Sequence, residues 1–337
     1  MNNDGVWNEE PATFDFVILP PWYRTWWFYT GSVLLILGLI YAVIAAREKN
    51  LRKQKLKLEK EVRARTAQVV QQKEVIEKKN KDITDSITYA ERIQRAILPS
   101  LTSIEEKFRD SFLTFAPRDI VSGDFYWYAD KNGRAFIAAC DCTGHGVPGA
   151  LVSMIGNNLL NQIILEKDID KPGEILSMLN RGMKSVFTKK GEQEAQDGMD
   201  MTLCMIDLEN NLLEFAGAQN SLYLVRSGEL IETKGDKTPI GGSTVKDHKF
   251  TNHIIQLRKD DSLYLSSDGY TDQFGGKSDN EEFGEGKKFM KKRYKKLLLD
   301  IHDKSMAEQK EILRTTFNTW RGTQEQVDDV LIIGIKI

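Results

Sequence analysis

Cysteine is scarce in this chain, with only Cys140, Cys142 and Cys204 among 337 residues. Three thiols cannot build a disulfide framework, and they suit a reducing compartment for the segment that carries them. None is followed six positions later by the arginine that a cysteine phosphatase needs; Gly146, Pro148 and Asn210 stand there instead. Histidine is nearly as rare, with His145, His248, His253 and His302, so metal chemistry falls mostly to carboxylates. A GxxxxGK[ST] loop is missing, as is the asparagine- and glycine-box layout of a sensor kinase. The formal net charge is only −2. That balance pulls neither toward nor away from nucleic acid, and no nucleic-acid partner is expected.

Charge is also missing locally. Residues 25–46 are 22 positions without a formal charge and contain the run VLLILGLIYAVIAA. At ~1.5 Å per residue such a helix spans a hydrocarbon core of ~30 Å. Trp22, Tyr23, Trp26, Trp27 and Tyr29 cluster at one end as an aromatic belt. A signal peptide is disfavoured, because Asp4, Glu9, Glu10 and Asp15 precede the run where lysines would be expected. Residues 47–65 carry nine Lys/Arg against three Glu, while residues 1–24 carry only Arg24. The positive-inside rule therefore predicts a single-pass span in the cytoplasmic membrane, with the long C-terminal part in the cytoplasm.

Residues 1–24 form a short extracytoplasmic segment in this reading, with a strand predicted at 14–19. Their sequence resembles the end of the immunoglobulin-like module that precedes the membrane span in some bacterial two-component-type sensors. That likeness implies a truncated or degenerate form of a larger receptor. Residues 47–98 lack both glycine and proline. Val62, Val69, Ile76, Ile83, Ala90 and Ile97 recur every seven residues, with a mixed companion position that is Leu51 and Leu58, then Arg65, Gln72, Lys79 and Ser86, then Ile93. This predicts a helix with a heptad seam, read as a parallel coiled coil that makes a homodimer; a single solvated helix is the alternative. Pro99 ends it.

From 99 to 337 the texture predicts one domain of short strands and amphipathic helices. Strands are expected at 112–115, 124–129, 134–140, 202–207, 212–216, 222–226, 253–257, 262–266 and 330–336. Helices are expected at 149–166, 173–188, 288–300 and 306–320. The excess of strands joined by tight turns argues for antiparallel sheets covered by helices.

The stretch SGDFYWYADKNGRAFIAACDCTGHGVPGAL, residues 122–151, carries most of the information. Asn132-Gly133 is a strong hairpin signal. A turn there pairs positions whose numbers sum to 265, so Asp124 faces Asp141. Opposed residues on antiparallel strands have Cβ atoms ~4.5–5.5 Å apart, and two carboxylates at that distance repel unless a cation lies between them. Asp141 closes an apolar run in which an unpaired charge would be costly. The glycines of Cys142-Thr-Gly-His-Gly allow close backbone approach, and Pro148 is expected to begin a helix. SLYLSSDG, residues 262–269, repeats the pattern of a buried strand closed by Asp268 and a glycine. Asp328-Asp329 opens the apolar run VLIIGIKI. If those two strands are antiparallel neighbours, the acidic positions share one rim. Most aspartates are solvated or capping residues, and Asp272 reads as one of these.

SGDFY, DCTGHG, SSDGYTD and DDVLIIGI, in this order, resemble the metal-dependent serine/threonine phosphatases, and most of all the branch named after the stage II sporulation protein E phosphatase. The likeness covers roughly residues 85–337, including ERIQRAILPS. It implies an αββα sandwich of two antiparallel sheets flanked by helices. It further implies two Mn²⁺ or Mg²⁺ ions, with a third as an open alternative. Asp141 would bridge the pair, the Cys142 carbonyl would also bind, Asp268 and Asp328 would hold the second ion, and Asp124 would sit in the same cluster. Asp200, in DGMDMTL, would be an accessory ligand, and Asp328 is preferred over its neighbour Asp329. All-oxygen donors suit these cations rather than zinc. His145 is a candidate acid for the leaving oxygen, with a purely loop-orienting role as the alternative. The implied substrate is a phosphoprotein bearing phosphoserine or phosphothreonine, such as an anti-sigma-factor antagonist. A catalytically weak module that binds a regulatory partner is the competing reading.

Overall fold

The computed structural model describes residues 13–19, 21–108, 110–187, 197–242, 244–276 and 286–337. The chain divides into two compact units, Met1–Asn80 and Lys81–Ile337.

In the first unit the strand expected at 14–19 does not form. Phe14, Phe16, Val17, Ile18 and Leu19 are all exposed; with no neighbouring strand among the described residues, extended backbone has nothing to pair with. Helix α1 (Trp26–Ile97) is continuous, as a stretch without proline allows. Its apolar beginning is long and apolar enough to cross a membrane. Val62, Val69 and Ile76 of the heptad seam are open to solvent.

The second unit holds the end of α1 and then, in chain order, α2 (Leu101–Lys107), β1 (Ser111–Ala116), β2 (Phe125–Lys131) and β3 (Arg134–Cys142). Helix α3 (Gly146–Leu160) passes into a π-helical turn at Asn161–Glu166, and α4 (Pro172–Phe187) follows. Next come β4 (Gly198–Asp207), β5 (Leu212–Ala218), β6 (Leu222–Arg226), β7 (Glu229–Thr233), β8 (Ile240–Gly241), β9 (His253–Gln256) and β10 (Ser262–Ser266). The chain ends with α5 (Gly269–Asp272), β11 (Phe274–Gly275), β12 (Lys287–Lys288), α6 (Lys291–Ile301), α7 (Met306–Arg321) and β13 (Val330–Lys336).

Two large sheets result, β1-β13-β10-β6-β7 and β2-β3-β4-β5-β9 with β8 on β4, and β11 pairs with β12 in a separate two-stranded ribbon. All pairings between the named strands of these sheets are antiparallel. Strand alternation sorts the side chains into layers. Ile137, Ala139, Ile206 and Phe215 from one sheet meet Leu224, Leu265, Leu331 and Ile333 from the other. The opposite face of the β3 sheet, with Phe136, Ala138 and Cys140, packs against Leu160, Ile164, Leu176 and Leu179 of α3, its π turn and α4. Tyr223, Tyr264 and Ile332 pack against Tyr294, Leu298, Leu313 and Phe317 of α6 and α7. The result is the expected αββα sandwich.

Three local expectations are corrected. Helix α3 begins at Gly146 with His145 as N-cap, so Pro148 is its third residue; its missing N–H still falls among the first-turn donors that need no helical acceptor. The helix expected from 288 starts instead at Lys291, because Met290 has φ 74°, outside the helical region. Strand β7 was not anticipated, although Ser227-Gly228, both at positive φ, is a hairpin turn of the kind that predicts it.

Candidate metal-dependent active site

Five strand ends, those of β2, β3, β4, β10 and β13, meet at one rim. The hairpin register runs from Lys131 opposite Arg134 to Phe125 opposite Cys140, which carries Asp124 to the place opposite Asp141. On its other side Asp141 lies directly opposite Asp200 of β4. Strands β10 and β13 are antiparallel neighbours, with Ser266 opposite Ile332. The end of one therefore lies beside the start of the other, which brings Asp268 next to Asp328-Asp329. Gly269 permits the closest approach: a Cβ there would overlap the Asp329 carbonyl.

A cavity of about 230 Å³ is lined by Asp141, Cys142, Thr143, Gly144, His145, Asp200, Asp268 and Asp328. Asp124 lies outside this lining and is only 2% exposed. Thr143 pins the loop to β4, its N–H and Oγ1 both donating to the Gly198 carbonyl at 2.9 and 3.1 Å. A Cβ on Gly149 would overlap the Gly144 carbonyl, so the loop can fold back onto α3 only because that helix position is bare.

The electrostatics are those of an acidic cluster in which burial and mutual repulsion outweigh the nearby positive charges. Burial, then Asp141, pushes the Asp124 carboxyl well above its ordinary range. Burial, then Asp268, Asp328 and Asp200, does the same to Asp141, against a lowering backbone hydrogen bond from Asp268. Asp200 is raised to about 6, chiefly by burial. Burial also raises Asp268 and Asp328. The Asp124 Oδ2 atom is buried and has no hydrogen-bond partner. Among the described residues no group of three or more His, Cys, Asp or Glu forms a ready-made metal-ligating set.

Asp329 differs from its neighbour. It is buried, and its oxygens accept from the backbone N–H groups of Arg118 and Gly123, both at 2.7 Å, and of Asp124 at 3.4 Å. It fastens the segment leading into β2, while Asp328 faces the cavity. His145 Nδ1 lies 2.8 Å from Asp119 Oδ2, with both side chains about half exposed. Sequence reasoning missed Asp119, which is 26 positions away and carries no local signal. It also missed Gln94, buried at the end of α1, which bonds Ser122 and Ser153.

Comparison with known proteins agrees with this architecture. The family described as stage II sporulation protein E matches residues 131–337. The solved SiaA-PP2C domain of Pseudomonas aeruginosa is similar at 33% identity and a TM-score of 0.68, over 77% of this chain and 98% of that one. The PP2C domain of SpoIIE from Bacillus subtilis, with a fragment of its regulatory domain, shares the fold at 20% identity and a TM-score of 0.51. That match covers 68% of this chain and 61% of the other. The RsbU and RsbW domains of a Mycobacterium tuberculosis protein do so at 16% identity and 0.51, over 67% and 60%. A search of curated proteins found no match. With the family match spanning more than half of its length, the chain belongs to the stage II sporulation protein E family of PP2C-type serine/threonine protein phosphatases.

Proposed function

We propose that this chain is a membrane-anchored phosphoprotein phosphatase of bacterial signal transduction that removes phosphate from serine or threonine with a carboxylate-held pair of Mn²⁺ or Mg²⁺ ions. One observation carries the metal reading: five aspartates are gathered at one rim with their carboxyls raised by burial and mutual repulsion. The orphaned Asp124 Oδ2 adds a buried acceptor that lacks a donor or cation. Such a cluster is costly unless neutralised, and its oxygen donors fit Mg²⁺ or Mn²⁺.

In this reading Asp141, the Cys142 carbonyl, Asp268 and Asp328 would hold the ions, with Asp124 and Asp200 alongside. When bound, the ions would supply Lewis-acid activation of water and neutralise phosphoryl charge. The chain's own residues do the rest. Asp329 and Gly123 fix the approach to Asp124, and Thr143 fixes the loop beyond Asp141. His145 donates Nδ1–H to Asp119, and its imidazolium form presents a second proton on Nε2 to the departing serine oxygen.

The apolar start of α1 supports the anchor, and the basic stretch behind it supports a cytoplasmic catalytic domain. The exposed heptad seam supports a homodimer through a parallel coiled coil. Similarity to regulatory phosphatase domains supports a phosphoprotein partner, with an anti-sigma-factor antagonist as the first substrate to try. The test is Mn²⁺-dependent hydrolysis of p-nitrophenyl phosphate and a phosphoserine peptide by the full chain and by Asp141→Asn. Turnover that needs metal and vanishes in the variant supports the reading. A folded wild type with no turnover sinks it in favour of a binding module.

A further inference from the structure

Seven of the ten residues 287–296 are lysine or arginine, in a chain whose net charge is −2. Three of the seven are engaged. Lys288 Nζ lies 2.6 Å from Asp272 Oδ2, and Lys295 Nζ lies 2.7 Å from Glu232 Oε2. Arg293 donates to the carbonyls of Lys288 and Phe289 and lies over the Trp320 ring. Lys287, Lys291, Lys292 and Lys296 are exposed, and none has an ion-pair partner among the described residues.

The position of these four lysines gives them a use. Met290 N–H donates to the Thr271 carbonyl at 2.8 Å, and Lys288 holds Asp272. Both contacts tie the start of α6 to α5, which begins directly after Asp268. Lys291 acts on the cavity electrostatically, drawing Asp200 and Asp268 downward against their burial. Met290 adopts φ 74° and ψ 143°, a region that a side-chain-bearing residue occupies only at a cost, so the surrounding contacts hold this junction in place. The start of α6, with Lys291 and Lys292, therefore lies beside the acidic cavity, and Lys296 continues the cationic edge one turn along the helix. A membrane-binding helix carries its cations around an apolar face open to lipid, whereas Tyr294, Leu298 and Ile301 of α6 are buried in the core. That favours a protein partner.

We propose that the edge formed by Lys287, Lys291, Lys292 and Lys296 is a docking surface for acidic residues flanking the phosphoserine of the protein substrate. The proposal rests on the phosphatase reading above. It explains how a negatively charged substrate approaches a rim of five aspartates: steering by opposite charge concentrates it there before the phosphate reaches the cavity.

The experiment uses the full chain in phosphatidylcholine nanodiscs and a Lys292→Glu, Lys296→Glu double variant, with Lys291 left intact because of its influence on the cavity. Two readouts are taken with Mn²⁺: turnover of p-nitrophenyl phosphate and of phosphoserine peptides with acidic or neutral flanks, and peptide binding by fluorescence anisotropy. The double variant should keep its p-nitrophenyl phosphate rate. Its KM and Kd for the acidic peptide should rise roughly tenfold, with kcat unchanged and a flatter salt dependence. The neutral peptide should be unaffected, and Lys292→Gln with Lys296→Gln should shift the same readouts by a smaller factor. Equal responses to acidic and neutral peptides overturn the proposal. So does unchanged peptide affinity combined with phosphatidylserine slowing wild type but not the variant, which assigns the lysines to lipid. A wild type that binds the acidic peptide in a charge-dependent way yet turns over no substrate overturns the phosphatase reading and leaves the docking surface standing.

Discussion

Gln94 and Ser122 grip each other at both ends of one amide. Gln94 Nε2 donates to the Ser122 carbonyl at 2.6 Å, and the Ser122 N–H donates to Gln94 Oε1 at 3.1 Å. The same Nε2 reaches Ser153 Oγ of α3 at 3.0 Å. The end of α1 is thereby joined to the segment that presents Asp124 and to the helix behind the Asp141 loop. Gln94→Leu leaves buried backbone groups of Ser122 unpaired, which costs about 1–3 kcal/mol per group. Urea denaturation should show that loss, together with a higher Mn²⁺ requirement. Unchanged stability would mean that the contact contributes nothing.

The acidic rim predicts a pH profile for the metal-free protein. Asp124, Asp141, Asp268 and Asp328 are raised in the folded state, and Asp200 is raised to about 6. Unfolded carboxyls titrate near 4, so above that value the folded chain binds more protons, and stability falls as pH rises. In chelator, Tm should drop between about pH 5 and pH 7.5, and Mn²⁺ should restore it at the higher pH. Asp124→Asn should raise the metal-free Tm at the higher pH while shrinking the gain from Mn²⁺. A flat profile in chelator would remove the argument for a strained cluster.

Asp328 and Asp329 should separate cleanly. Asp329→Asn weakens charge-assisted bonds to the Arg118 and Gly123 amides and should cost about 1.5–3 kcal/mol of stability. Asp328→Asn should leave the fold at least as stable and lose Mn²⁺-dependent turnover. Isothermal titration of Mn²⁺ together with thermal melts of both variants checks this. The opposite pattern would exchange the two roles.

The His145–Asp119 pair should matter only for poor leaving groups. With a phosphoserine peptide, His145→Gln should lower kcat by about 10²-fold, the lower range for general acid catalysis. Asp119→Asn should cost less. Hydrolysis of p-nitrophenyl phosphate, whose leaving group needs no proton, should barely change. Equal losses on both substrates would make His145 a residue that shapes the loop.

The open seam of α1 should close by pairing. Val69 and Ile76 are 61% and 56% exposed, and lysine at both should shift the full chain in detergent from dimer to monomer in sedimentation velocity. A wild type that already sediments as a monomer would favour the solvated-helix reading.

Much of this was legible because it is local. The Asn132-Gly133 turn fixes a register, and the register alone places Asp124 across from Asp141. Apolar runs that end in Asp-Gly or in a Gly-bearing loop mark two strand ends, and glycine is required at Gly269 by the nearby Asp329 carbonyl. Where local signals misled, a longer-range fact prevailed. An extended run at 14–19 found no neighbouring strand among the described residues. The helix expected from 288 was cut short by the unusual backbone at Met290, whose N–H is held by Thr271.

The sequence by itself determined the layer pattern, the uncharged span, the heptad and the strand-terminal aspartates, because periodicity, turn chemistry and hydrophobicity act over a few residues. Only the tertiary structure decided which of two adjacent aspartates faces the cavity, which carboxylate partners His145, and that a lysine-rich edge lies beside the acidic rim. Those outcomes depend on sheet order and on contacts between residues far apart in the chain, where spacing along the sequence carries no distance information.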